Sequence, residues 1–233
     1  MFHALETCCR DMLKIRHTLD SRVEVGVDEA GRGCLWGPLV AAAVQWPDQE
    51  AWTEEINNIS AQIKDSKKLS AKRRGVLEEA IKKHAVCWAI GRVEAAEIDT
   101  LGMTKANRLA FRRAVVGLGI TPGRILIDGI LGLNYSRDIE EIVEAQGDGT
   151  YLAIAAASII AKEGRDRMVK EMCDPDPTLD EKYGLLSSKG YGTLKHRTAI
   201  KEHGMHVQHR KLFLRKLLGL DHTVHAEYDF IDD

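Results

Sequence analysis

Along this 233-residue chain the apolar positions change period, and the changes lay out strands and helices in turn. Val23-Glu-Val-Gly-Val27 alternates, as a strand does. A glycine-rich turn, Gly31-Arg32-Gly33, follows it. The apolar run at 38–46 is then long enough for a buried strand returning beside the first. Ser70 stands where a cap would, ahead of AKRRGVLEEAIKKH, so a helix is expected through about residue 84. Residues 86–93 read as a third strand, and residues 94–118 keep a helical period until Thr121-Pro-Gly123 stops them. Ile125-Leu-Ile-Asp128-Gly129 is an apolar strand ending in a carboxylate. A further strand is expected near 141–146, ahead of Gly147-Asp148-Gly149. Residues 152–173 form one Ala-rich helix, with side chains small enough to press closely onto a sheet. Residues 174–192 read as loop, 193–203 and 209–219 as two basic helices, and 1–20 as a short amphipathic helix. Strands first, then helix and strand in alternation, predict an α/β domain with a mixed sheet.

Composition narrows the class. Hydrophobic residues make up 44% and charged residues 29%, enough to bury a core. With 33 Lys+Arg against 35 Asp+Glu, the net charge of -2 excludes attachment to nucleic acid by bulk positive charge, though not by a local basic face. The longest apolar stretch, 151–161, is too short for a membrane span, and the first residues lack the layout of a secretory signal. Five cysteines without a CxxC pair suit reduced thiols, so a cytoplasmic protein is expected. Between Lys189 and Lys216 stand eight Lys/Arg, one acid (Glu202) and four histidines, His196, His203, His206 and His209. This stretch reads as a surface for phosphates, with the histidines on the surface or touching phosphate and with Lys67 and Lys68 adding to it. The tail 221–233 carries five acids.

Four carboxylates, Asp28, Glu29, Asp128 and Asp148, stand close to glycines at strand ends or in turns. Strands of one sheet bring their ends together, so these acids can converge although they are far apart in sequence. Carboxylates gathered without a cation repel one another, and hard oxygen ligands select Mg²⁺ or Mn²⁺. Against this, an Asp-Gly pair taken alone is most simply a turn residue. Neighbours on a regular strand also face opposite ways, so Asp28 and Glu29 would share a site only if the strand loses its regularity near Gly31.

The wording around these acids adds more. Gly26-Val-Asp28-Glu29-Ala-Gly-Arg-Gly33 with Gly37-Pro38-Leu-Val-Ala-Ala-Ala-Val44 resembles the opening signature of the type 2 ribonucleases H. The likeness continues through Asp65-Ser-Lys67-Lys68-Leu-Ser70, Leu126-Ile-Asp128-Gly129, Gly147-Asp148 and Ile154-Ala-Ala-Ala-Ser158-Ile-Ile-Ala-Lys162. It goes on in Arg165-Asp166-Arg167, Lys189-Gly-Tyr191-Gly-Thr193 and His209-Arg210, in family order from about residue 22 to 214. The resemblance implies an RNase H-like mixed β-sheet flanked by helices, with a helical C-terminal extension. It implies a metal-dependent endonuclease that cuts the RNA strand of RNA–DNA hybrids and nicks 5′ of single ribonucleotides in duplex DNA. By motif position, Asp28, Glu29, Asp128 and Asp148 would be the catalytic metal ligands, for Mg²⁺ or Mn²⁺. Gly31, Arg32, Gly33 and Tyr191 would read the ribose, and Lys67, Lys68 and Lys189 would help to hold the substrate. Cys34, Trp36 and Gln146 depart from the family pattern. Asp166, flanked by arginines on a helix, reads as an ion-pair partner rather than a fifth ligand. The expected layout is an N-terminal helical extension (1–20), a catalytic domain (21–192), and C-terminal basic helices with an acidic tail (193–233) packed on it, acting as a monomer. The alternatives are an RNase H-like nuclease confined to DNA, which has no use for a ribose sensor, and a hybrid-binding module without catalysis, which gains nothing from acids facing phosphates.

Overall fold

The computed structural model describes residues 13–63 and 69–219. Five strands, β1 (Glu24–Ala30), β2 (Leu39–Gln45), β3 (Cys87–Val93), β4 (Arg124–Asp128) and β5 (Glu140–Glu144), form one sheet in the order β3-β2-β1-β4-β5. β2 returns antiparallel beside β1, pairing Gly26 with Val44 and Ala30 with Val40, and β3 is antiparallel to β2. β4 lies parallel to β1 on its other side, with Val27 opposite Ile127, and β5 is parallel to β4. The mixed sheet expected from the sequence is present.

Each face of the sheet carries one long helical element, the one on the first face kinked at Gly102, where φ is 74°. Odd positions of β1 and β4, Val25, Val27, Ile125 and Ile127, pack with Ala106, Ala110, Phe111 and Ala114 of α3 (Ala95–Gly117). Glu94 and Glu97 close the start of α3 in a capping box. On the opposite face lies α4 (Leu152–Cys173), within the limits expected from its alanines. A Cβ on Gly26 would overlap the backbone of Ala153 and Ile154, so glycine in β1 and alanines in α4 together allow this close approach. Outside α4 lie α1 (Glu54–Ser60) and α2 (Ala71–His84), the latter capped by Ser70 accepting from Arg73 N at 3.3 Å.

Sequence and structure part in two places. Residues 174–192 are not simply loop: Asp176 accepts from the Thr178 amide and starts α5 (Thr178–Tyr183), which Gly184 separates from the single turn α6 (Leu185–Ser188). The described part of the expected 1–20 helix is irregular. There Lys14 bridges to Tyr151, and Arg16 pairs with Asp48 instead of turning into a helix. Residues 1–12, Lys67, Lys68 and the acidic tail lie outside the described residues. The two C-terminal helices follow as α7 (Leu194–His203) and α8 (Lys211–Leu218). With α5 and α6 they bury a separate core against the end of α4, built on Trp36, Val169, Tyr183, Leu185, Ile200 and Leu214. Trp36 is fully buried there, so its departure from the family pattern fills a core position.

Candidate active site

β1 and β4, neighbours in the middle of the sheet, run to its same end side by side. One residue beyond the last paired positions, Val27 and Ile127, stand Asp28 and Asp128. Even positions of both strands face α4, so these two side chains emerge together on that face. The Ser158 hydroxyl of α4 hydrogen-bonds the Asp28 carboxylate. Glu29 leaves by the α3 face, where Asn107 bonds its carboxylate and Arg32 approaches to 3.7 Å. β1 nevertheless stays paired with β2 through Ala30, which corrects the expectation that the strand must lose its regularity for Asp28 and Glu29 to share a site. They share it because the cavity lies at the rim of the sheet, open to both faces.

That cavity has a volume of about 270 Å³ and is walled by Asp28, Glu29, Asp128, Ser158, the Gly31–Arg32–Gly33 turn and Tyr191, with Arg74 and Lys162 at its margin. Asp148 is buried in the helical turn Gly147–Gly149 ahead of α4 and is not part of its wall. The turn still touches the site, because Gly147 N donates to Asp128 Oδ1 at 2.7 Å. Lys189 does not line the cavity either.

Electrostatics here favour a cation. Burial first, then the charges of Glu29 and Asp128, holds the Asp28 carboxyl well above the ordinary carboxylate range. Glu29 is also raised, mainly by burial, with Asp128 adding to it and Arg32 opposing. Among the described residues, no three Asp, Glu, His or Cys side chains are placed as a group ready to hold an ion. One oxygen of each aspartate is turned onto backbone, Asp28 Oδ1 to Glu29 N at 2.6 Å and Asp128 Oδ1 to Gly147 N. The donor set nonetheless fits a hard divalent ion: partly desolvated, oxygen-only and mutually repelling.

The turn that faces the acids is fixed from behind by two buried arginines. Arg210, on the residue before α8, donates to Gly37 O (2.9 Å), Gly31 O (2.7 Å) and Arg32 O (3.1 Å). Arg165 of α4 donates to Pro38 O (3.1 Å), Trp36 O (3.1 Å) and Lys189 O (2.7 Å). Gly31 has φ 86° and packs on the Arg165 side chain, so any Cβ would collide there. Residues 34–37 are zipped between the segments 190–191 and 208–210: Leu35 N donates to Gly190 O, Gly37 N to Gln208 O, and Arg210 N to Leu35 O. Tyr191 thereby lies beside the glycine turn. Its ring lies under the Arg165 guanidinium, 5.9 Å away, and its hydroxyl hydrogen-bonds the buried Cys34 thiol.

Several sequence readings change. Arg210 was expected on the phosphate surface, but it is fully buried and builds the turn. His196 and His209 are buried as well, not on the surface, and their Nε2 atoms are 3.0 Å apart. Asp166 is an ion-pair partner as expected, although its cation is Lys162 at 2.9 Å and not a flanking arginine. Ser158, Asn107 and Arg165 were given no site role in the sequence, and Arg210 was given a different one. Only their place within the quoted family blocks, for Ser158, Arg165 and Arg210, could have flagged them.

A mixed sheet with paired acids at the ends of two adjacent parallel strands, facing a glycine turn, defines an RNase H-like nuclease. Residues 25–216 match the family model described as Ribonuclease HII. The chain is 44% identical over 192 residues to a ribonuclease HII of Parabacteroides distasonis, covering 82% of this chain and 90% of that one. It is 45% identical over 192 residues to a ribonuclease HII of Prochlorococcus marinus, covering 82% and 96%. Among solved structures it is similar to the ribonuclease H2 of Pyrococcus horikoshii, with a TM-score of 0.67 and 27% identity over 84% of this chain and 97% of that one. The chain belongs to the ribonuclease HII family. It is an endoribonuclease that degrades RNA in RNA–DNA hybrids, with the divalent-metal dependence of that family.

Proposed function

We propose that this chain nicks duplex DNA 5′ of single ribonucleotides, as well as cutting long RNA–DNA hybrids, and leaves 5′-phosphate and 3′-hydroxyl ends. Asp28, Glu29, Asp128 and Asp148 are the residues that would hold Mg²⁺ or Mn²⁺. When bound, such ions supply an activated water and charge relief for the leaving oxygen. The other parts position the substrate. The Gly31–Gly33 turn spends its Gly31 and Arg32 carbonyls on Arg210, and its two glycines carry no side chain to obstruct a ribose hydroxyl. The Tyr191 ring offers a face for the sugar while Cys34 anchors its hydroxyl. Arg32, Arg74, Lys162 and Lys189 supply cationic contacts for the phosphates on either side, and Lys67 and Lys68 belong with them by motif.

The observation that carries this reading is the sharing of one cavity by three of the four acids, the glycine turn and Tyr191. The test offers duplex DNA bearing one ribonucleotide and an all-DNA duplex, each with Mg²⁺, Mn²⁺ or chelator. Cleavage of the first alone, and only with metal, is expected; cutting of the all-DNA duplex would support the DNA nuclease alternative instead. Tyr191→Ala is expected to lower cutting at the single ribonucleotide roughly tenfold more than on a long hybrid, the scale of one lost stacking contact. Tyr191→Phe, which keeps the ring, falls between; equal loss on both substrates speaks against a ribose-reading tyrosine. Cleavage site mapping on end-labelled strands reads both. The enzyme acts as a monomer in the cytoplasm. The free thiols Cys34, Cys87 and Cys173 suit a reducing compartment. Among the described residues no helix is long and apolar enough to cross a membrane.

A further inference from the structure

Behind Tyr191 lies a buried imidazole pair for which the cleavage chemistry has no use. His196 is the third residue of α7, and its Nδ1 lies 2.9 Å from Tyr191 O. His196 Nε2 meets His209 Nε2 at 3.0 Å, and His209 Nδ1 accepts from His206 N at 2.7 Å. Both rings are fully enclosed, with Tyr183 packed edge-on against each.

The partners leave one arrangement of protons. A carbonyl oxygen only accepts, so His196 carries its proton on Nδ1 and presents a bare Nε2. A backbone amide only donates, so His209 has a bare Nδ1 and carries its proton on Nε2. The contact between the rings is then a normal hydrogen bond, His209 Nε2–H donating to His196 Nε2. The chain runs one way: His206 N–H to His209, His209 to His196, His196 to the Tyr191 carbonyl. Charging either ring would place two donors face to face or oppose the His206 amide. In keeping with this, burial and the neighbouring His196 and His206 push His209 down to about 3, and burial lowers His196. Tyr183, His206 and, beyond His206, Asp176 are the titratable groups around the pair. Trp36 Nε1 donates to His206 Nδ1 at 3.2 Å, which ties the start of the chain to the core beneath the glycine turn.

We infer that His196 and His209 are positioning residues: a one-directional relay of neutral imidazoles that fixes the Tyr191 backbone, and with it the ring that meets the ribose. This rests on the reading of Tyr191 given above. It explains why two histidines in a basic stretch are buried instead of lying among the phosphate contacts. Placement alone would be served by any group that donates at the δ position of residue 196.

Amide substitutions separate the two ends of each ring. His196→Asn keeps a donor near the δ position for Tyr191 O and gives up the link to His209. His196→Gln keeps an acceptor near the ε position for His209 and leaves Tyr191 O without its donor. At residue 209 the order reverses, because Gln keeps the ε donor that His196 needs whereas Asn keeps only the acceptor for His206. The readout is the ratio of kcat/KM on duplex DNA with one ribonucleotide to that on a long hybrid, measured for the full chain. Relative to the unsubstituted enzyme, His196→Gln and His209→Asn are expected to lower this ratio roughly three- to tenfold, the scale of one hydrogen bond. His196→Asn and His209→Gln stay within about twofold on the same scale. A residue that merely fills the core would give equal losses for Asn and Gln at each position, and that result overturns the relay. If Tyr191→Ala itself leaves the ratio unchanged, the reading of Tyr191 fails first. If Tyr191→Ala lowers the ratio but the Asn/Gln order does not cross over, the relay alone fails. Nitrogen NMR of the unsubstituted protein needs no variant to fold: neutral Nδ1–H at His196 and Nε2–H at His209 near pH 7 are expected, and the opposite tautomer at either ring overturns the inference.

Discussion

Asp28→Asn is expected to cut hydrolysis of an RNA–DNA hybrid by on the order of 10³-fold while making the protein more stable at neutral pH. The two effects share one cause. Asp28 lies fully within the fold, near Glu29 and Asp128, and its carboxyl is held well above the ordinary range, chiefly by burial. For an acid raised in this way, stability is complete below its unfolded value, near 3.8, and is lost as pH rises through the higher folded value. Ionised Asp28 is therefore a cost at neutral pH in the absence of a cation, and a neutral amide of the same shape removes that cost. Recovery of about 1 kcal/mol corresponds to a rise in Tm of roughly 2–4 °C for a chain of this size. The lost turnover reflects the several kcal/mol of charge stabilisation that metal centres supply to such reactions. Asp128→Asn should match the activity loss with little change in Tm, since an amide oxygen can still accept from Gly147 N. Millimolar Mg²⁺ should raise the Tm of the unsubstituted protein and leave that of Asp28→Asn nearly unmoved, as ligand linkage requires. Thermal unfolding with and without Mg²⁺, beside initial rates on a labelled hybrid, reads all of this. Near-normal turnover in Asp28→Asn would remove the metal reading.

Local pattern and long-range placement were unequally legible in the sequence. α4 and α2 emerge within the expected limits because alanine content and a serine cap act locally. α5 escaped notice because its cue is an aspartate bond to Thr178 inside a stretch rich in proline and aspartate, which reads as loop. The acids at 28 and 128 were visible as strand ends, and strand register alone brings them together. Whether Glu29 could join them was wrongly tied to a break in β1, because sequence shows which face a residue takes but not where the sheet edge lies. Asp148, the fourth acid, stands behind the cavity wall, in the turn whose Gly147 bonds Asp128. The largest misreading came from charge. A run of Arg and His in the sequence looks like a phosphate surface, but Arg210, His196 and His209 face inward, toward backbone carbonyls and amides that no residue pattern displays.

Arg165→Lys is expected to destabilise the protein by about 3–6 kcal/mol, on the basis of roughly 1.5–3 kcal/mol for each of two charged hydrogen bonds lost. Arg165 has 1% of its surface exposed and serves three carbonyls with three different nitrogens, those of Trp36, Pro38 and Lys189. These carbonyls belong to two separate loops, the one that follows the glycine turn and the one that leads into Tyr191. A planar fork reaches both at once, whereas an ammonium is a single point on a flexible stem and has to choose between them. The abandoned carbonyls then stay buried without a donor, which costs more than the bond itself contributed. The Tyr191 ring also loses the guanidinium packed 5.9 Å from it, and Gly31 loses the side chain that its backbone conformation is shaped around. Denaturant unfolding of the full chain measures the stability loss. Cleavage at low temperature, where the variant is still folded, should show selection for a single embedded ribonucleotide reduced more than cutting of a long hybrid, because the acids at the ends of β1 and β4 do not depend on this arginine. A variant within 1 kcal/mol of the unsubstituted protein, with its selectivity intact, would mean that the two loops hold each other through their backbone bonds alone and that Arg165 merely fills the space behind them.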